Sequence, residues 1–343
     1  MENTNKRSRT ASVILKIVKI LLICIAVIAL TAFGLYKLVT HQWNDKPQEY
    51  TATNQYITGL GDTMIAAHRG GRSLFPQGTM MAFEGCVNAE DFDTDFFEFD
   101  VKLTKDEKLI ILHDDTFDEV SNAVEYFGKE GNYPSDYTYE ELSELNMGEF
   151  FKNAEGIAPY KGLRGDDIPE NLRVLTVEDA LNYTESSGGD YYYSIEIKID
   201  GEAGFKAADI LYGILSEMKL LDRVIVASFS KDVILYIEEN YPDLTRTAYN
   251  VEAALLFFDA LLGIERPEGY YEFDVLQVPP DRYIVNMGTS KLVNYAHKNN
   301  IAVHYWTIND PERMAFLQSI GADGIITDIP DVAYEVLNSQ NKE

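Results

Sequence analysis

The sequence predicts an α/β fold: a TIM-type (β/α)8 barrel with a small insertion after the second strand, preceded by one N-terminal transmembrane helix. Three observations predict it. From residue 64 onward short apolar runs alternate with helical patterns, the order expected of βα units feeding a parallel sheet. Eight of these runs close a barrel when 108–113 is taken as a hairpin extension of the second strand, and the outer ~300 residues suit such a barrel with an insertion. Ahead of them, Ile20 to Tyr36 contains no charge.

In chain order, Lys6, Arg7, Arg9, Lys16 and Lys19 precede that uncharged run and Lys37 closes it. Extended through Val39 it reaches the ~20 residues a bilayer needs. We therefore expect a basic cytoplasmic segment over 1–19, a membrane span over 20–39 and everything beyond it on the outer face. No convincing small-x-small site follows the run, which disfavours a cleaved signal peptide. Residues 40–62 are polar and turn-rich and read as a tether to a catalytic barrel over 63–337. The residues before Arg7 and after Leu337 read as loose ends.

Charge divides at the same boundary. Residues 1–19 carry five basic residues and one acid, a net +4 against −27 for the whole chain, which leaves −31 for the remainder. Such acidity disfavours nucleic acid and anionic lipid surfaces as electrostatic partners. The two cysteines, Cys24 in the apolar run and Cys86 in a predicted helix, supply no disulfide framework.

Strands are expected at 64–68, 96–103, 108–113, 193–199, 223–228, 245–249, 274–278, 301–307 and 324–327. Helices are expected at 79–90, 176–187, 203–219, 231–240, 288–299 and 311–320. Residues 115–172 form the insertion, in which only YTYEELSEL (137–145) looks helical.

In a βα barrel, chemistry collects where strands end. The run MIAAH (64–68) ends in His68 and is followed by Arg69. In FFEFDVKLT (96–104), Glu98, Asp100 and Lys102 share one face and Phe97, Phe99 and Val101 the other. The apolar face packs on helices, so the polar triplet points inward, where a hard divalent cation is the obvious partner for paired acids. The device recurs in YYYSIEIKID (191–200), with Glu196 and Lys198 on one face. A third carboxylate beside a lysine suits a metal and an anionic phosphate together. KLIILHDD (108–115) ends in His113, so two of the five histidines terminate apolar strands and offer an acid and a base. Near the end, AVHYWTIND (302–310) brings Trp306 to a candidate site-facing position, where it would flank an apolar or sugar-like part of a substrate. His304 reads as a core histidine and Cys86 as a small core residue. The sequon at Asn182 falls in a predicted helix. There is no G-x-S-x-G elbow, H-E-x-x-H pair, Walker loop or G-x-G-x-x-G turn.

With these residues in place, the chain resembles the glycerophosphodiester phosphodiesterase family. The matching words are H-R-G at 68–70, E-F-D-V-K-L-T-K-D at 98–106, H-D at 113–114, E-I-K at 196–198, W-T-I-N at 306–309 and G-A-D-G-I-I-T-D-I-P at 321–330. They follow the family's order and spacing across roughly residues 64–332. The resemblance implies a TIM-type barrel, a divalent cation (Ca²⁺ or Mg²⁺) on Glu98, Asp100 and Glu196, and an acid–base pair of His68 and His113. It also implies phosphate binding by Arg69 and Lys198. One word departs from the family: Pro-Gln-Gly-Thr at 76–79 stands where P-E-N-T is usual, which removes a carboxylate and adds a glycine.

These features point to metal-dependent hydrolysis of glycerophosphodiesters to glycerol 3-phosphate and an alcohol. The substrate would be a small phosphodiester or a lysophospholipid, with the membrane met through the N-terminal helix. Two rivals are a phospholipase D- or C-like cleavage of lipids and a catalytically inactive, membrane-tethered binding protein. The segment VEAALLFFDALLGI (251–264) is apolar around most of its circumference and would lean on the bilayer, cover a lipid tail, or serve as an ordinary barrel-covering or dimer-interface helix.

Overall fold

The structure, a computed structural model, describes residues 2–339 apart from Asn44 and Tyr283, with side chains from Leu15 onward. The side chains of Lys6, Arg7 and Arg9 and the chain end past Ser339 lie outside the described residues. A long helix α1 (Glu2–Thr40) comes first. The barrel begins with β1 (Met64–His68), α2 (Met80–Val87), β2 (Phe96–Leu103) and the short β3 (Leu109–Ile111). The insertion holds α3 (Ala123–Phe127) and α4 (Tyr139–Leu142), followed by α5 (Val177–Ser186) and β4 (Tyr192–Ile197). Next come α6 (Gly201–Met218), β5 (Val224–Ala227), α7 (Lys231–Asn240), β6 (Thr245–Arg246) and α8 (Asn250–Leu262). The last part is β7 (Val275–Val278), a hairpin of β8 (Asp281–Arg282) and β9 (Val285–Asn286), and α9 (Ser290–Lys298). It closes with β10 (Ala302–Tyr305), α10 (Pro311–Ser319), β11 (Gly324–Thr327) and α11 (Pro330–Ser339).

Eight parallel strands run in the order β6-β5-β4-β2-β1-β11-β10-β7, and a parallel bridge from Thr247 to Val275 joins the two ends into the expected barrel. β3 folds back antiparallel on the end of β2, pairing Lys102 with Ile110. Alternation decides what each strand buries. Phe97, Phe99 and Val101 of β2 face outward into a core shared with Phe83 of α2 and Leu181 of α5. The opposite residues point into the barrel.

The barrel interior is layered, and the layers prepare the site. At the bottom, Ala66, Phe96, Ile225, Val275, Ala302 and Ile326 pack around Tyr56. Above them lies a neutral polar layer in which Gln277 Nε2 donates to Ser194 Oγ at 3.0 Å and Phe96 meets the ring of His304 edge-on. Charged residues occupy the top, at the C-terminal ends of the strands.

Besides the β8–β9 hairpin and α11, which were not expected, two regions differ from the expectation. Residues 40–62, expected as a tether, lie along the barrel. Gln42 Nε2 donates to Gly288 O at 2.9 Å, Ser290 Oγ donates to Trp43 O, and Asn300 accepts from the backbone of Thr53 and Asn54. Tyr56 then plugs the bottom of the barrel. The insertion holds more than one helix, because it has its own core: Phe117, Leu142, Leu145 and Met147 pack on Ile110 and Leu112. Within it α4 is only four residues long and is started by a capping box between Thr138 and Glu141.

Candidate active site

β1 ends in His68 and turns sharply. Arg69, Gly70 and Gly71 all adopt left-handed backbone, with φ of 52°, 80° and 80°. Gly70 has to be glycine, because a Cβ there would stand 2.7 Å from the Cβ of Ala82. The turn aims His68 and Arg69 across the barrel mouth, and the Arg69 N–H donates to Glu98 O at 2.7 Å. From β2 and β4, Glu98, Asp100 and Glu196 bring one carboxylate oxygen each to within 4.8 Å of one another.

Three carboxylates this close repel. Burial first, then the charges of Asp100 and Glu196, push Glu98 well above the usual carboxylate range. Burial and the Asp100 charge likewise raise Glu196. Two cations answer part of this. Lys198 Nζ lies 3.3 Å from Asp100 Oδ1 and 3.2 Å from Glu196 Oε1, and Arg69 Nε lies 3.7 Å from Asp100 Oδ2. Among the described residues, Asp100 Oδ2 and Glu196 Oε1 nonetheless remain buried with no hydrogen-bond donor. An all-oxygen set with orphaned lone pairs is what a hard divalent cation requires. The residues present therefore fit such an ion.

The two histidines have different supports. His68 Nδ1 hydrogen-bonds to Asp328 Oδ1 at 2.5 Å, which leaves Nε2 toward the cavity, 3.8 Å from Glu98 Oε2. Asp328 is itself held by Asn309 Nδ2 at 2.7 Å. Burial lowers the His68 pKa against the opposing hydrogen bond from Asp328. His113, just past β3, pairs Nδ1 with Asp114 Oδ1 at 2.8 Å and is one-third exposed.

All eight residues singled out from the sequence (His68, Arg69, Glu98, Asp100, His113, Glu196, Lys198 and Trp306) line one cavity of about 250 Å³ at the barrel's C-terminal mouth. Lys102, which shares the inward face of β2, pairs instead with Asp115 at 2.6 Å. His304 lies below, in the neutral layer, outside the cavity lining. Cys86 packs in the core, its thiol pushed up to about 12 by burial. Two contacts were not assigned in advance. Gln77, from the Pro-Gln-Gly-Thr loop, accepts from Arg69 Nη1 at 2.8 Å, and Asp328 orients His68. The signal for Asp328 was its place at the end of the last strand, which a closed barrel brings beside the first.

A family model, the glycerophosphoryl diester phosphodiesterase family, matches residues 68–332, from the first site histidine to beyond the last strand. The chain belongs to this family. Family membership makes it a phosphoric diester hydrolase by class. Among curated relatives, a glycerophosphodiester phosphodiesterase of Bacillus subtilis is 26% identical over 282 residues, spanning 80% of this chain and 86% of the relative. Among solved structures, a glycerophosphodiester phosphodiesterase from Agrobacterium tumefaciens superposes with a TM-score of 0.59 at 17% identity, covering 80% of this chain and 99% of that one. An Oleispira antarctica phosphodiesterase, solved in complex with the product sn-glycerol-3-phosphate, gives a TM-score of 0.58 at 16% identity, covering 80% of this chain and 96% of that one. These two likenesses show the shared barrel fold.

Proposed function

We propose that the chain cleaves glycerophosphodiesters to glycerol 3-phosphate and an alcohol, with a divalent cation on Glu98, Asp100 and Glu196 and with His68 and His113 as the acid–base pair. The observation that carries this reading is the convergence of three carboxylates, two cations and two imidazoles on one cavity of a family barrel. Glu98, Asp100 and Glu196 would hold the ion, Ca²⁺ or Mg²⁺, which would supply Lewis acidity to the phosphate. Arg69 and Lys198 bind the phosphate and offset the charge that grows on its oxygens. One imidazole takes the proton from the nucleophile, either water or the glycerol 2-hydroxyl, and the other gives a proton to the leaving oxygen. Trp306 and Phe229, edge to face at 6.2 Å, cover the alcohol. In this reading α1 anchors the enzyme in a membrane with the barrel on the outer face. Support for the anchor is its Leu15–Thr40 stretch, long and apolar enough to cross a bilayer.

The test follows choline and glycerol 3-phosphate release from glycerophosphocholine by the full chain, with EDTA and then Ca²⁺ or Mg²⁺ restored. Expected are metal-restored release and a loss of at least about 10³-fold in His68→Ala and His113→Ala with folding intact. Near-full activity in either variant removes that histidine from the chemistry. Absence of release from a folded, ion-binding protein favours the binding-protein reading.

A further inference from the structure

We propose that the outer face of α8 and the tip of the β8–β9 hairpin are seated in the bilayer beside α1, so that the cavity draws single-chain, acylated glycerophosphodiesters directly from the membrane. This rests on the phosphodiesterase and membrane-anchor readings above and names the substrate class they leave open.

α8 is built backwards for a water-facing helix. Its two acids point inward: Asp259 is 1% exposed and pairs with Arg266 at 2.6 Å, and Glu252 pairs with Arg246 at 2.8 Å. Outward it shows Val251, Phe258 and Leu262, which are 65%, 43% and 60% exposed. Their spacing of seven and four residues places them in one stripe. In a region that carries a net −31, a helix whose acids are paired on its inner side and whose leucine and phenylalanine are exposed calls for an apolar neighbour.

The contacts around α8 place it beside α1, the proposed membrane helix. The C-terminal end of α1 packs against β9, where Asn286 Nδ2 donates to Gln42 Oε1 at 2.8 Å. Ile284, at the hairpin tip, is 57% exposed beside this junction. Arg282 Nη1 of the same hairpin donates to Asn250 Oδ1, at the first turn of α8. At the other end, Lys291 Nζ donates to Leu261 O at 3.0 Å while lying 4.5 Å over the ring of Trp43. Hairpin and α8 thus flank the point where α1 leaves the barrel, and a bilayer that receives α1 meets them as well.

The same elements form the cavity wall. Asn250, Ala253 and Arg282 line it, and Ala248, Val278, Phe229 and Trp306 give the same cavity apolar surface. Beyond the alcohol that Trp306 and Phe229 cover, an acyl chain on the glycerol brings apolar surface for Ala248, Ala253 and Val278 that glycerophosphocholine lacks. Net, water adds across the P–O bond to the head-group alcohol. Phosphorus gains the hydroxyl, the departing oxygen takes the proton, and the products are a monoacylglycerol phosphate and the alcohol.

The test uses the full chain in phosphatidylcholine vesicles, with Cys24→Ala to remove the exposed thiol and an environment-sensitive fluorophore on Phe258→Cys or Leu262→Cys. Quenching by a nitroxide on the lipid acyl chain, exceeding that by aqueous iodide, is the expected result. Dominant iodide quenching overturns the proposal, as does protection from both quenchers, which would mean a second copy covers the face. In parallel, Phe258→Asp and Leu262→Asp should lower choline release from vesicle-borne lysophosphatidylcholine by about tenfold and leave release from soluble glycerophosphocholine within about twofold. Equal effects on the two substrates overturn the proposal. If the parent chain releases no choline from glycerophosphocholine, the phosphodiesterase reading fails instead; if the chain washes off the vesicles, the anchor reading fails.

Discussion

At the scale of single residues, the site works through pairs rather than through isolated groups. His68 depends on Asp328, which fixes the ring by holding Nδ1 and leaves Nε2 toward the cavity. Asp328→Asn keeps the shape but permits the wrong tautomer, so kcat should fall by about 10²-fold or more with little change in KM, and the pH–rate profile should shift. An equal change in both parameters would assign Asp328 to packing. His304 makes a different point. Fully buried against Phe96, its pKa is pushed down to about 4, while the unfolded chain titrates near 6.5. Below pH 6.5 the unfolded state takes up the proton first, so stability is full above that pH and falls as pH drops toward 4. The loss is at most about 3 kcal/mol. His304→Leu should flatten the dependence of the denaturant midpoint on pH between 7 and 4.5, and an unchanged slope would refute the assignment.

At the scale of elements, the Pro-Gln-Gly-Thr loop shows how a departure in sequence is absorbed by backbone geometry. Gly78 sits at φ 64° and its N–H donates to Arg69 O at 3.0 Å. Left-handed backbone is tolerated by asparagine as well as glycine, so the family's usual residue and this one satisfy the same turn. The lost carboxylate becomes the Gln77 amide, whose oxygen still accepts from Arg69 but adds no charge. Gly78→Ala places a Cβ 3.1 Å from Ile111 Cγ2 on a disfavoured φ and should cost about 1–2 kcal/mol. Gly78→Asn should cost less than half as much in the same denaturation assay. The reverse order would mean that contact with Ile111, not φ, governs the position.

At the scale of the whole molecule, the segment before the barrel is part of its stability. Tyr56 fills the bottom of the barrel against Phe96 and Tyr192, at ring distances of 6.1 and 5.5 Å. Tyr56→Ala should cost about 3 kcal/mol, and a fragment starting at residue 63 should melt well below one starting at residue 41. Equal melting temperatures would make the segment a tether after all. The sequence by itself determined the barrel, through runs of period two alternating with helical patterns, and picked out eight residues that line one cavity at its mouth, through strand-end histidines and carboxylates repeated on one strand face. Those signals are local, set by the alternation of a single strand. Only the tertiary structure decided that residues 40–62 plug and line the barrel, because polar, turn-rich chain reads the same whether it docks or hangs free. Only it joined Asp328 to His68, since ring closure brings the first and last strands together across 260 residues. And only it showed which face of α8 stays uncovered, because a helix apolar on all sides carries no internal record of which side its neighbours take.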